Sequence, residues 1–217
     1  MQNGVMLKFK TSVQNVHFVG DCHYGHDRKW LYESRGYNSI QEHDEGIIEK
    51  WNNQVQPQDI VWSLGDFIFL KGAEERMEKI IRRLNFSTLY MINGNHSAGA
   101  KQLKEKHGRR YVLEDGRVVE FRNDYEEILV DNRGMVLCHY PILSFNGQGG
   151  GNIHLHAHTH GKLHGTEIGN LLYKARIIDV GVENFGRPVS FQEVVDIVDK
   201  RGIVTFDHHN AETQNPF

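Results

Sequence analysis

The chain reads as an α/β fold, on three observations. Short apolar runs alternate with amphipathic helical stretches over the first half. These runs end in Gly, Asp, Asn or His, so a sheet can gather the polar ends at one edge. The second half is a succession of short strand candidates separated by Gly, Asn and Asp turns. No linker-like stretch or internal repeat interrupts the 217 residues, of which 39% are hydrophobic and 24% charged, so residues 1–217 are expected to form a single domain with a sizeable core.

Element by element, Val16 to Val19 is a strand ending in Gly20-Asp21. Ser39-Ile40-Gln41-Glu42 has the form of a capping box, and Ile40, Ile47, Ile48, Trp51 and Val55 then keep helical spacing on one face. Ile60 to Leu64 is the next strand, ending in Gly65-Asp66, and Met77, Ile80, Ile81 and Leu84 mark the helix after it. Thr88 to Ile92 is a third strand, ending in Asn93-Gly94-Asn95-His96. Strand candidates follow at Tyr111 to Leu113, Val118 to Phe121, Ile128 to Val130, Met135 to Cys138, Ile153 to Leu155, Ile177 to Val182 and Ile203 to Phe206, with a capped helix at Ser190 to Val198. That half is expected to be mostly antiparallel. The Gly147 to Gly151 cluster lacks the Lys-Ser/Thr and helix start of a phosphate-cradling loop and reads as a mobile loop.

Composition excludes several classes. No apolar stretch approaches the roughly 18 residues of a membrane span, and nothing resembles a signal-peptide h-region, so a cytoplasmic protein is expected. Cys22 and Cys138 lie far apart in apolar segments and read as buried thiols rather than a disulfide. A net charge of -3 argues against affinity built on blanket neutralisation of a nucleic-acid backbone. Arg82-Arg83, Lys101, Lys104, Lys106 and Arg109-Arg110 form the one candidate basic track, a pattern that also fits a solvated helix face. Fourteen histidines are the unusual count.

The chemistry resides in seven potential ligands in a fixed order: Asp21 and His23, Asp66, Asn95, His139, then His158 and His160. If the extended backbone continues past the first strand, Asp21 and His23 share a side while Cys22 points inward. A hard oxygen beside a borderline nitrogen suits Mn, Fe or Zn. Each signal alone has an ordinary alternative: turn polarity for Asp-x-His, a turn for Gly65-Asp66, a hydrogen-bonded histidine at a strand end for His139. His154, His156, His158 and His160 are more specific, because alternate imidazoles on an extended segment face one way and must be held neutral; a metal does that, and a pH-sensitive polar strand face is the alternative.

The order Asp-x-His, Gly-Asp, Gly-Asn-His, His, His-x-His resembles the calcineurin-like metallophosphoesterase superfamily from residue 17 to about residue 190. Gly20-Asp21-Cys22-His23-Tyr24-Gly25-His26, Glu49-Lys50-Trp51-Asn52, Leu64-Gly65-Asp66-Phe67 and Val180-Gly181-Val182-Glu183 are similar to its compact phage and bacterial branch. The resemblance implies a four-layer α/β/β/α sandwich of two mixed sheets flanked by helices. It also implies two divalent transition-metal ions, with Mn favoured over Fe, Zn or Ni. Asp21, His23 and His160 would bind one, Asn95, His139 and His158 the other, with Asp66 as the bridge and His96 as the catalytic imidazole. Two ions about 3.5–4 Å apart share a hydroxide and neutralise a phosphoryl group during in-line attack, which makes the expected activity hydrolysis of phosphodiesters or phosphomonoesters. His26 and Arg28 are candidate substrate contacts, with a solvated loop as the alternative.

Two positions depart from the family pattern. Ser97 stands where an acidic residue orients the catalytic histidine, leaving the partner of His96 open. Ala157 replaces the usual Gly, leaving His156 and His158 as a competing pair, although Gly161 after His160 favours His158 and His160. A metallo-β-lactamase type would place its His-x-His-x-Asp-His cluster early, and a serine/threonine phosphatase would show Asp-Arg-Gly where this chain has Phe67-Ile68-Phe69. The alternatives kept are a nuclease acting on nucleic-acid ends and a non-catalytic metal-binding scaffold of the same fold. The expected partner is a phosphoester, with nucleotides and nucleic acid among the candidates; the oligomeric state is not set.

Overall fold

A computed structural model describes residues 6–12, 14–69, 74–204 and 206. Its strands are β1 (Leu7–Phe9), β2 (Val16–Val19), β3 (Ile60–Ser63), β4 (Thr88–Met91), β5 (Arg110–Val112), β6 (Val118–Phe121), β7 (Tyr125–Val130), β8 (Arg133–Cys138), β9 (Ile153–His156), β10 (Ile177–Asp179) and β11 (Val189–Ser190). Its helices are α1 (Lys29–Ser34), α2 (Ile40–Gln54), α3 (Glu74–Arg83), α4 (Ala98–His107), α5 (Glu167–Lys174), α6 (Val182–Phe185) and α7 (Phe191–Val198). The strands form a six-stranded sheet in the order β11-β2-β3-β4-β6-β5 and a five-stranded sheet in the order β1-β7-β8-β9-β10.

Period-two alternation assigns each strand residue to a layer. Val16, Phe18, Ile60 and Trp62 of one sheet meet Ile128, Val130, Met135, Leu137, Ile153 and Leu155 of the other in the central core. On the opposite face of the six-stranded sheet, Val61, Leu89, Met91 and Val119 pack under Ile47 and Trp51 of α2, Met77 and Ile81 of α3, and Leu103 of α4. On the outer face of the five-stranded sheet, Val136 and Ile177 pack against Phe145 and Leu172. The result is the α/β/β/α sandwich of two mixed sheets. Among the described residues no helix is long and apolar enough to cross a membrane.

Strands β2, β3, β4 and β6 run parallel in register, so Val19, Ser63 and Met91 stand side by side and the chain leaves β2, β3 and β4 at one edge. In the other sheet β8, β9 and β10 are also parallel, which corrects the expectation of a mostly antiparallel second half. The reason is connectivity. Residues 139–152 and α5 carry the chain back to the starting end before the next strand, and such crossovers produce parallel neighbours. In that sheet β7 and β8 are the antiparallel pair, joined through Asp131 and Asn132, both at positive φ as a type I′ turn requires.

Other boundaries shift for local reasons. Ile177 to Val182 is divided, because Gly181 ends the extended run and α6 begins at Val182. Ile203, Val204 and Phe206 form no strand, with residue 205 outside the description; Val204 and Phe206 instead cover Phe145 and Leu172 through their side chains. At α2 the Ser39 hydroxyl accepts from the Glu42 amide, but Glu42 accepts from the Asn38 amide instead of closing the box on Ser39. The box is complete at α7, between Ser190 and Glu193. Residues 147–151 are folded around Gln148, which is buried and donates to the Leu143 carbonyl. The short helices α1, α4 and α5 escape periodicity because each buries few apolar side chains, Leu31 alone in α1 and Leu172 alone in α5.

Candidate metal centre

The two sheets are stitched together at their common edge, and the stitches carry the candidate ligands. Gly20 and Gly181 pair as a bridge beyond β2, the Ala157 amide donates to the His139 carbonyl at 3.0 Å, and the His158 amide donates to Asp21 Oδ2 at 2.8 Å. All seven expected ligands are therefore drawn to one place although they span 140 residues of chain. Asp21, His23 and His160 each offer an atom within 4.8 Å of the others, and so do Asp21, Asp66 and His139. Asp66 Oδ2 lies 3.6 Å from His23 Nε2 and 3.7 Å from His139 Nε2, between the two halves of the set. Asn95 Oδ1 stands 2.9 Å from both His139 Nε2 and His158 Nδ1.

The backbone here is not extended. Among the described residues eight non-glycine residues have positive φ, and five of them are Asp21, His23, Asp66, His158 and His160. Asp and His tolerate this region better than most residues, but five together cost free energy that core packing does not explain; such conformations persist where a site requires them. The expectation that Asp21 and His23 share a side through continued extension is thus corrected: a left-handed turn at each aims both side chains inward. The same departure divides the histidine ladder. His154 and His156 lie on β9, whereas His158 and His160 lie beyond its end. Glycine supplies the space, since a Cβ on Gly94 would lie 2.1 Å from Asp66 Oδ1 and one on Gly65 would lie 2.6 Å from His139 Nδ1.

The donor chemistry fits a cation. His139 Nδ1 donates to the Leu64 carbonyl at 2.8 Å, so in the neutral ring Nε2 carries a lone pair facing Asn95 Oδ1 and Asp66 Oδ2, acceptor against acceptors. Asp21 Oδ1 and both ring nitrogens of His23 are buried without a hydrogen-bond partner among the described residues. Burial pushes the Asp21 carboxyl up to about 8 and holds His23 far below its ordinary value, the unprotonated form that a metal requires. A positive ion would satisfy Asp21 Oδ1, the lone-pair nitrogen of His23 and the opposed acceptors around His139 Nε2.

Around this set is a layer that sequence reading missed. Glu183 Oε1 accepts from His160 Nδ1 at 2.6 Å, which leaves His160 Nε2 for the centre. Burial works against charge on His160, but the Glu183 hydrogen bond and charge raise its pKa overall. The nearly buried Arg35 pairs with Glu183 and donates to the carbonyls of Asp21 and Cys22 at 2.7 and 3.1 Å, pinning the turn that presents Asp21. Asp44 accepts twice from the Gly25 amide and pairs with Arg76. Glu183 belongs to a motif phrase; nothing local to Arg35 marks it.

The remaining candidates separate. His96 is exposed, its amide donates to Asp66 Oδ1 at 2.8 Å, and its ring stands edge-on to Phe69 at 4.6 Å and to His23 at 5.8 Å. Ser97 does not replace an orienting acid, because its hydroxyl closes the turn onto the Gly94 amide and carbonyl. His26 is buried, stacked on Phe69 at 3.6 Å, and burial brings its pKa down to about 4. Arg28 is exposed and precedes α1 as its N-cap. In the basic track, Arg82, Arg83 and Lys106 are paired with Glu114, Glu45 and Glu78, so it is interrupted by acid.

Comparison with known proteins adds the fold and a distribution. No family model matches the chain. An uncharacterized protein of Methanocaldococcus jannaschii is 28% identical over 194 residues, covering 89% of this chain and 96% of that one. The Gene 66 protein of Mycobacterium phage L5 is 28% identical over 206 residues, covering 86% and 95%. A crystal structure of a protein of unknown function from Aquifex aeolicus superposes with a TM-score of 0.61 at 19% identity, covering 85% of this chain and all of that one. That likeness establishes the sandwich fold.

Proposed function

We propose that this chain is a binuclear metal-dependent phosphoesterase of the calcineurin-like type, hydrolysing phosphodiester or phosphomonoester bonds. The observation that carries the reading is Asp66 Oδ2 lying 3.6 and 3.7 Å from the Nε2 atoms of His23 and His139, between the two halves of the ligand set, where its carboxylate would serve both ions. Asp21, His23 and His160 would hold one ion, and Asn95, His139 and His158 the other; mixed oxygen and nitrogen donors suit Mn, Fe or Zn, and the family resemblance favours Mn. Bound there, such ions supply charge neutralisation of the phosphoryl oxygens and a water acidified toward neutrality.

The chain's own residues supply the rest. Glu183 and the Leu64 carbonyl hold the rings of His160 and His139 in one tautomer each. His96 is tied by its main chain to Asp66 and has no ring hydrogen bond among the described residues, so its imidazole can give a proton to the departing oxygen. The aromatic ring of Phe69 packs edge-on against that imidazole at 4.6 Å. The test is a Mn-loaded preparation assayed against a monoester, a diester, cyclic nucleotides and single-stranded DNA, before and after EDTA dialysis. Turnover that EDTA abolishes and Mn restores supports the reading; full turnover in excess EDTA ends it. A scaffold of the same fold would bind metal and turn over none of the panel.

A further inference from the structure

The protein has three tryptophans, of which Trp51 and Trp62 are fully buried and Trp30, on α1, is 55% exposed. The Trp30 ring stands edge-on to His26 at 5.8 Å and to His160 at 6.4 Å. With His160, Lys162, His164 and Asn184 it walls a cleft of about 330 Å³ opening beside the metal-ligand set. The Lys162 ammonium lies over one face of the ring, 5.9 Å from its centroid, which leaves the other face for a ligand. Against the other half of the set stands a second exposed ring, Tyr140, 45% accessible and 4.7 Å from His158.

Neither ring is buried in the core, and the Trp30 indole offers no metal ligand. A flat apolar face kept in water at the rim of a polar site gains its return when a ligand covers it. A cation beside an aromatic face suits a ligand that is both planar and anionic. The amide of the cleft is already committed inside the protein: Asn184 Oδ1 faces His164 Nε2 at 2.6 Å, and Asn184 Nδ2 donates to the Asp179 carbonyl. The cleft therefore has a platform and a charge but few free groups to read the edge of a base.

We propose that the substrate is a nucleoside phosphodiester, with one nucleobase of any identity stacked on Trp30 in the cleft beside His160 and the Lys162 ammonium against its phosphate. This rests on the phosphoesterase reading, and it narrows the substrate class within it. Base stacking on an aromatic side chain favours binding by about 5- to 150-fold.

Because Trp30 is the exposed indole among the three, quenching of tryptophan emission reports on this cleft in the unmodified full chain. AMP and CMP should both quench, each at least about tenfold more tightly than ribose 5-phosphate. In calorimetry Trp30→Ala should weaken AMP binding about tenfold, and Trp30→Phe should recover most of it. With the Mn-loaded enzyme, the preference for thymidine 5′-(p-nitrophenyl) phosphate over ethyl p-nitrophenyl phosphate should fall about tenfold in Trp30→Ala. Equal binding of AMP and ribose 5-phosphate would mean that the ring receives a sugar, and the proposal falls. Hydrolysis of both esters without preference for the nucleoside overturns the cleft and leaves the phosphoesterase reading standing. Base-dependent quenching without hydrolysis of either ester does the reverse.

Discussion

His154 and His156 stand on β9 with their rings bonded to the main chain, whereas His158 and His160, two and four residues on, have left-handed backbone and face the carboxylate cluster. His154 Nδ1 donates to the Val136 carbonyl at 3.0 Å and its Nε2 accepts from the Ile142 amide at 3.0 Å, so this ring is neutral and fully used. His156 Nδ1 donates to the Ala157 carbonyl. His160 donates to a carboxylate, and His158 meets Asn95 Oδ1. An unbroken alternation of four imidazoles thus serves two purposes. Where the strand supplies main-chain partners, the imidazoles bond to the backbone; where the strand ends, they face the side chains of the candidate ligand set.

The largest effect expected lies at a third kind of imidazole, bonded to neither. His96→Ala should lower turnover by about 100- to 10,000-fold while metal content stays near wild type. The deficit should shrink for a nitrophenolate leaving group, which departs without a proton, relative to a ribose hydroxyl. Equal deficits would mean that His96 positions the phosphate, and lost metal would make it a ligand.

The pair on β9, His154 and His156 (the proximal pair, against the distal His158 and His160), should govern stability instead. Burial brings the His154 pKa down to about 4, below the ordinary unfolded value. The unfolded chain therefore binds the extra proton first, and stability should fall as pH drops from about 6.5 to about 4, by on the order of 3 kcal/mol. Urea unfolding across that window, wild type against His154→Leu, checks it: the variant should have the flatter profile. A similar slope in both would assign the acid sensitivity to other groups.

Glu183→Gln tests the distal pair through its support. Losing the Glu183 carboxylate charge beside His160 should cost roughly 10- to 100-fold in metal affinity. The matching change beside the proximal pair, His156→Gln, should leave affinity within a factor of about three, since ring-to-carbonyl hydrogen bonds are worth about 1 kcal/mol and lie outside the ligand set. Titration with Mn of both variants compares them directly. If His156→Gln loses metal as readily, the division at Ala157 is wrong.

The smallest effect is at that junction. Ala157 is fully buried against Gly20, where a Cβ would come within 2.3 Å of its methyl. Ala157→Gly should cost about 1 kcal/mol of stability, read by thermal melting, with metal content unchanged.

Sequence by itself determined the order and kind of the ligand candidates, the helices with strong apolar faces, and the strands β2, β3 and β4. These depend on neighbours a few residues apart, which is what periodicity and capping record. Gly65 and Gly94 before Asp66 and Asn95 were legible in the same way, as turns at strand ends. Which histidines reach the centre was left to the tertiary structure, because it depends on where β9 stops and on contacts such as Asp21 with His158, 137 residues apart. Arg35 is the plainest case. An arginine after a six-residue helix carries no local signal, and its hold on Asp21, Cys22 and Glu183 exists only once α6 has been folded against the end of β2. Parallel pairing in the second sheet belongs to the same class, since short strands look alike in either direction and the crossovers alone decide which way the chain returns.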